Sequence, residues 1–176
     1  MFVRFLLFLP PDGFKDESLS MVKMFVERWG GRYQVTSYGR KICTGEHGAV
    51  CKIDVDANTI SPGDYDYVIL IDGKGVDRWK SYEHRQLIEF ISNFEKEGKP
   101  VIAINNAIKI VMRMSEIRGR KIASDDSADL RRFISLFRGI PSPANIEFSG
   151  NIVTINGSAG LDGALDKLFK KIGNSQ

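Results

Sequence analysis

Cysteine and histidine are scarce in this chain, with two of each: Cys43, Cys51, His47 and His84. No Cys-x-x-Cys or His-x-x-x-His pair occurs, so neither a zinc site nor any other metal centre is expected. Two cysteines make no disulfide framework, and a reducing compartment, the cytoplasm, is the expectation. Charge of one sign is also missing. Lys and Arg number 25 against 22 Asp and Glu, a net charge of +3 without a basic block, which gives no reason to expect nucleic acid. Long apolar runs are absent as well. The longest, Phe2 to Leu9, is broken by Arg4 and is far short of the roughly 20 residues that span a bilayer. Pro10-Pro11 follows without a small-residue cleavage site, so a buried first strand is expected there rather than a membrane segment or signal peptide. With no repeat or linker, residues 1–176 read as a single domain.

What is present is an alternation of short apolar runs with segments of helical period, the pattern of a parallel sheet with crossover helices. Strands are expected at Phe2–Leu9, Tyr33–Tyr38, Tyr67–Ile71, Val101–Ile104, Lys121–Ser124 and Ile152–Ile155. Cys43 and Cys51 flank Thr44-Gly45-Glu46-His47-Gly48, which reads as the tight end of a hairpin, away from any site; whether the two thiols are bonded stays open. Leu19, Val22, Val26 and Trp29 mark a helix closed by Gly30-Gly31. Ser81 is the expected cap of a helix with apolar face Leu87, Ile88, Ile91 and Phe94, while His84, near its start, is expected to face solvent. Ile110, Val111 and Met114 open another helix; Asp125, Asp126 or Ser127 caps a fourth, and Leu161 to Ile172 forms the last. The fold class that follows is α/β: a flavodoxin-like, doubly wound, mostly parallel sheet with helices on both faces. Ligands of such sheets bind beyond the carboxyl ends of the strands. The loops expected at that rim are Pro10–Lys15, Asp72–Asp77, Asn105-Asn106, Ser124–Asp126 and Asn156–Ser158.

Two familiar chemistries fit this rim poorly. A dinucleotide-binding turn needs Gly-x-Gly-x-x-Gly after the first strand, where this chain has Pro-Pro-Asp-Gly-Phe; Gly73-Lys74-Gly75 is only a fragment of it. Asp72 ends an apolar strand, as does the phosphate acceptor of receiver domains. The carboxylates that would hold magnesium are missing from Leu9-Pro10-Pro11, however, and Asp12 comes late.

The stretch Val101-Ile102-Ala103-Ile104-Asn105-Asn106-Ala107 has the layout of a nucleophile turn between a strand and a helix. Here the chain resembles the PfpI/ThiJ family of class I glutamine-amidotransferase-like proteins, which includes intracellular proteases and the parkinsonism-associated protein. The resemblance runs from about Phe2 to Ile172. It is carried by Asp12-Gly13-Phe14, Thr44-Gly45-Glu46-His47-Gly48, Asp72-Gly73, Glu97-Gly98-Lys99-Pro100-Val101, Arg118-Gly119-Arg120-Lys121 and Ser149-Gly150-Asn151-Ile152-Val153. It implies the flavodoxin-like fold, cysteine-dependent protease, amidase or glyoxalase-like activity without a cofactor, and assembly as a homodimer or larger homo-oligomer.

The departures bear on function. Where the family carries Ile-Cys-His-Gly, this chain has Ile104-Asn105-Asn106-Ala107, and the family's glutamate aligns with Lys15. Of the oxyanion-hole segment Pro-Gly-Gly only Gly73 is kept, in Ile71-Asp72-Gly73. A carboxamide has no thiolate to offer and no pKa near neutrality, so neither nucleophile nor base is expected at Asn105 or Asn106. The expectation is a non-catalytic relative with no confident catalytic residue. Its remnant pocket comprises Lys15, Asp12, Asp72, Gly73, Asn105 and Asn106. The backbone N–H groups of Gly73 and Asn106 are expected to remain free, and with Lys15 and the following helix they would favour a small anion. The alternative is an enzyme on the same scaffold using Lys15 with Asp12 or Asp72.

Overall fold

A computed structural model describes residues 1–176. In chain order, β1 (Arg4–Phe8) is followed by the short β2 (Asp12–Phe14), helix α1 (Asp16–Arg28) and β3 (Arg32–Thr36). The hairpin β4 (Ile42–Gly45) and β5 (Val50–Lys52) leads to β6 (Tyr67–Leu70), the short α2 (Lys74–Arg78), α3 (Arg85–Lys96) and β7 (Val101–Ile104). Then come α4 (Ile108–Val111), β8 (Lys121–Ala123), α5 (Ala128–Leu136), β9 (Ile140–Ser142), β10 (Ile146–Ser149), β11 (Ile152–Ile155) and α6 (Leu161–Asn174).

The main sheet has the order β10-β11-β7-β6-β1-β3, parallel throughout except for β10 against β11. Alternation along the strands divides the core into two layers. Leu6 and Phe8 of β1 pack with Leu87, Phe94 and Ile134 from α3 and α5. Phe5 and Leu7 point the other way, onto Val22 and Val26 of α1 and Leu165 and Phe169 of α6. Burial on both faces explains the unbroken apolar runs of β6 and β7. The flavodoxin-like arrangement is therefore present. The order in which strands are added reverses between β1 and β6, so the loops after these strands border the crevice where such folds bind ligands.

Several local expectations need correction. Ser81 does not cap α3; it opens a single 3-10 turn, Ser81–Glu83. The cap is His84, whose side chain accepts the Leu87 N–H at 3.2 Å. Nor does His84 face solvent: it is half-buried, its ring stacked 4.3 Å from Tyr38. The helix expected at Ile110–Met114 is a single turn, Ile108–Val111, entered through a 3-10 turn at Asn105–Ala107. Ser127, with Leu130 N–H bonded to its hydroxyl, is the cap among the three candidates before α5. Cys43 and Cys51 are direct register partners across the hairpin, both buried and both free thiols. No helix is long and apolar enough to cross a membrane.

Candidate functional site

The rim loops converge as their sequence positions suggest. Asn105 follows β7 at φ 49°, a left-handed conformation that a β-carbon disfavours and that asparagine tolerates better than most residues. Its carboxamide is bonded at both ends. Nδ2 donates to Asp72 Oδ2 at 2.7 Å, and Oδ1 accepts the Gly157 N–H at 2.7 Å. One side chain thereby ties together the loops after β6, β7 and β11.

Asn106 closes the next gap. Its Oδ1 accepts the Gly73 N–H at 3.1 Å, while Nδ2 donates to the Gly73 carbonyl at 2.7 Å and to Asp77 Oδ2 at 3.2 Å. The Gly73 N–H, expected to be a free oxyanion donor, is thus already used. The expected helix N-terminus shrinks to the one turn of α4, too little to sum a macrodipole.

Asp72 lies beneath this pair with only 3% of its surface exposed. Burial pushes its carboxyl pKa up, against the opposing bond from Asn105, the nearby Ser18 hydroxyl and the positive charge of Lys15. Oδ1 is buried without a hydrogen-bond partner, which fits a carboxyl whose charge the site does not stabilise well. Such a buried side chain is out of reach of a phosphoryl donor, so the receiver-like role has no geometry behind it.

Lys15 is half-buried and forms the N-cap of α1, its backbone N–H donating to the Asp72 carbonyl at 2.7 Å. Its ammonium makes no hydrogen bond or ion pair with the protein, although its charge is felt at Asp72. Asp12 takes a different direction. It pairs with Arg78 and lies 3.9 Å from Arg40. Desolvation pushes the Asp12 pKa up, but the Arg78 bond and the two guanidinium charges outweigh it and hold the group below the ordinary value.

Sequence reasoning put Asp77 and Gly157 in the rim loops without assigning them a role, and missed Lys109. Lys109 is 5% exposed, bonded to Asp77 at 2.8 Å and Asp129 at 2.6 Å, with its ammonium near the rings of Tyr82 and Phe133. Burial works against its charge, but the two carboxylates win and raise its pKa. A lysine inside the apolar run Ile108-Lys109-Ile110 was the available signal. The hairpin tip also docks here: Asp16 accepts the His47 and Ala49 N–H groups, and Glu46 accepts that of Lys74. His47 itself contributes only backbone. No group of three or more His, Cys, Asp or Glu side chains is placed to hold a metal ion.

The chain is 27% identical over 116 residues to deglycase PfpI of Pyrococcus furiosus, covering 66% of this chain and 69% of that protein. A Pyrococcus abyssi deglycase is 28% identical over 115 residues, covering 65% and 68% respectively. Among solved structures, a ThiJ/PfpI domain protein from Brachyspira murdochii superposes with a TM-score of 0.88 at 18% identity, covering 99% of both chains. Drosophila melanogaster DJ-1beta gives 0.82 at 16% identity, covering 97% of this chain and 90% of that one. These structural likenesses establish the fold. The sequence profile of the DJ-1/PfpI family matches residues 3–165, and the chain belongs to that family.

Proposed function

We propose that this DJ-1/PfpI protein does not run the family's cysteine chemistry and serves instead as a binding or assembly module. The observation that carries this reading is the carboxamide at Asn105, bonded to Asp72 and Gly157 at the turn where the resemblance places the nucleophile. An amide nitrogen shares its lone pair with the carbonyl and cannot attack a carbonyl carbon at neutral pH. Asn106, at the histidine position, cannot move a proton, and it fills the Gly73 N–H that an oxyanion would need. Nucleophile and base are therefore lacking at this turn, and the oxyanion donor that faces it from the loop after β6 is occupied.

The small-anion reading of this rim is the weaker half of the expectation. Gly73 N–H is taken, and Asp72 and Asp77 place carboxyl groups where an anion would approach. Lys15 still offers a rim ammonium that makes no hydrogen bond or ion pair within the protein. Self-association and residence in the cytoplasm belong to the same proposal; the first rests on the family resemblance and the second on the scarcity of cysteine.

One observation favours the enzyme alternative: Asp72 couples a raised carboxyl pKa to a neighbouring lysine, the pairing from which acid–base catalysis is built. Its burial works against contact with a substrate. The test is turnover of methylglyoxal-glycated amino acids and of a casein peptide. Purified wild-type protein is compared with Asn105→Cys/Asn106→His/Lys15→Glu. Wild-type rates at buffer background are expected. Wild-type turnover that Asp72→Asn or Lys15→Ala abolishes would establish the enzyme instead.

A further inference from the structure

Two hollows meet at Gly39, on the segment joining β3 to the hairpin, away from Asn105. The first is a cavity of about 210 Å³ at the carboxyl end of β1, walled by Phe8, Tyr38, Trp79 and His84 over Pro11 and Leu87. Tyr38 stacks on His84 at 4.3 Å and on Phe8 at 5.6 Å. Because His84 Nδ1 accepts the Leu87 N–H, the neutral ring carries its proton on Nε2, a donor with no protein partner. The Tyr38 hydroxyl has none either, and burial pushes its pKa up to about 12, so it stays a donor.

The second hollow is a cleft of about 430 Å³ whose charged lining is Arg40, Lys41, Lys52 and Asp56. Lys41 and Lys52 form no ion pair, and Arg40 reaches only Asp12, at 3.9 Å, which Arg78 already holds. Asp56 is engaged by the Asn58 backbone and side chain. Three cations against one such carboxylate leave a local positive excess on a chain whose overall charge is nearly balanced. Arg40 lies over the Trp79 ring at 5.4 Å and so joins the two hollows. Gly39, which lines both hollows, has open space where a side chain would stand.

We infer that these hollows form one binding site for a small molecule that links a planar aromatic ring to an anionic group, the chemistry of a mononucleotide. The ring enters the aromatic cavity, where stacking and the two free donors hold it. The phosphate lies on Arg40, Lys41 and Lys52, held by side chains rather than by a glycine-rich loop. Adjacency carries the argument: the cavity alone would suit any flat ring, and the cleft alone any anion. Neither Asn105, Asn106 nor Asp72 lines the site.

The test is calorimetric titration of the full chain with adenosine 5′-monophosphate, adenosine and inorganic phosphate, together with amide chemical-shift mapping. The monophosphate should bind roughly tenfold or more tightly than either fragment. Arg40→Ala/Lys52→Ala should remove that advantage while leaving adenosine unaffected, and Trp79→Ala should weaken both nucleoside ligands. All three side chains are exposed, and unchanged melting curves will show that the variants fold. No monophosphate binding at millimolar concentration, no advantage over phosphate, or shifts centred on Asn105 and Gly73 would each overturn the inference. The readout is binding, so the result does not depend on whether the Asn105 turn is catalytic.

Discussion

The Asn105 turn and the hollows at Gly39 both lie at the carboxyl edge of the sheet, yet they use polar atoms in opposite ways. At the turn, both carboxamides are committed to other loops, and the backbone around Gly73 and Gly75 is packed against Asp12, Gly13 and Phe14. Around Gly39, a tyrosine hydroxyl, an imidazole N–H and two lysines have no partner within the protein. Hydrogen bonds spent within the chain stabilise it, whereas donors left open are available to a ligand. Substitutions at the turn should therefore cost folding, and substitutions at the hollows should cost binding.

Gly75→Ala is the most severe way to probe the packed side. A β-carbon there would lie well inside contact distance of the Asp12 carbonyl, which is backbone and cannot swing away. A loss of about 3–5 kcal/mol is expected in denaturant unfolding. A loss below about 1 kcal/mol would mean that the loops after β1 and β6 are loosely held, and the contrast between the regions would collapse. Asn105 offers a finer probe. Asn105→Ala keeps the positive φ but strands the buried Asp72 oxygen and the Gly157 N–H, for an expected cost of about 2–4 kcal/mol. Asn105→Gly strands the same groups without the β-carbon penalty, and should recover about 1 kcal/mol of that loss. Equal stability of the two variants would show that the backbone stores no strain here.

The sequence made the scaffold legible and the bonding at the site illegible, for physical reasons. Buried parallel strands demand apolar runs, and those of β6 and β7 stand out whatever their surroundings. The convergence of the rim loops followed from strand polarity alone. What Asn105 and Asn106 bond to depends on loops 33 and 52 residues away in the chain, which no local pattern encodes. The short β2 and β9 were missed for a related reason. Asp12–Phe14 is strand only because β4 lies beside it, and Ile140–Ser142, with a proline at its centre, only because β8 does. His84 was misread because a serine three residues earlier is the commoner cap and an imidazole cap leaves no signature in the sequence.

That cap gives the mildest prediction, on the open side of the comparison. Burial lowers the His84 pKa from its ordinary 6.5, and only the neutral ring can accept the Leu87 N–H. As pH falls through about 6.5 the unfolded chain takes up the proton first, so His84's contribution is complete above that pH and is lost on acidification. Asp72 acts in the opposite sense: its raised pKa makes the folded state the better proton acceptor above pH 3.8, so its contribution grows as pH falls. His84→Asn retains an acceptor for the cap but has no proton to gain. Its stability relative to wild type should be flat above pH 6.5 and rise steadily as pH falls toward 5, read from paired melts. A difference that stays flat down to pH 5 would mean that His84 charges equally well in both states. The cavity it lines would then be wetter than its aromatic walls suggest, and less suited to gripping an aromatic ring.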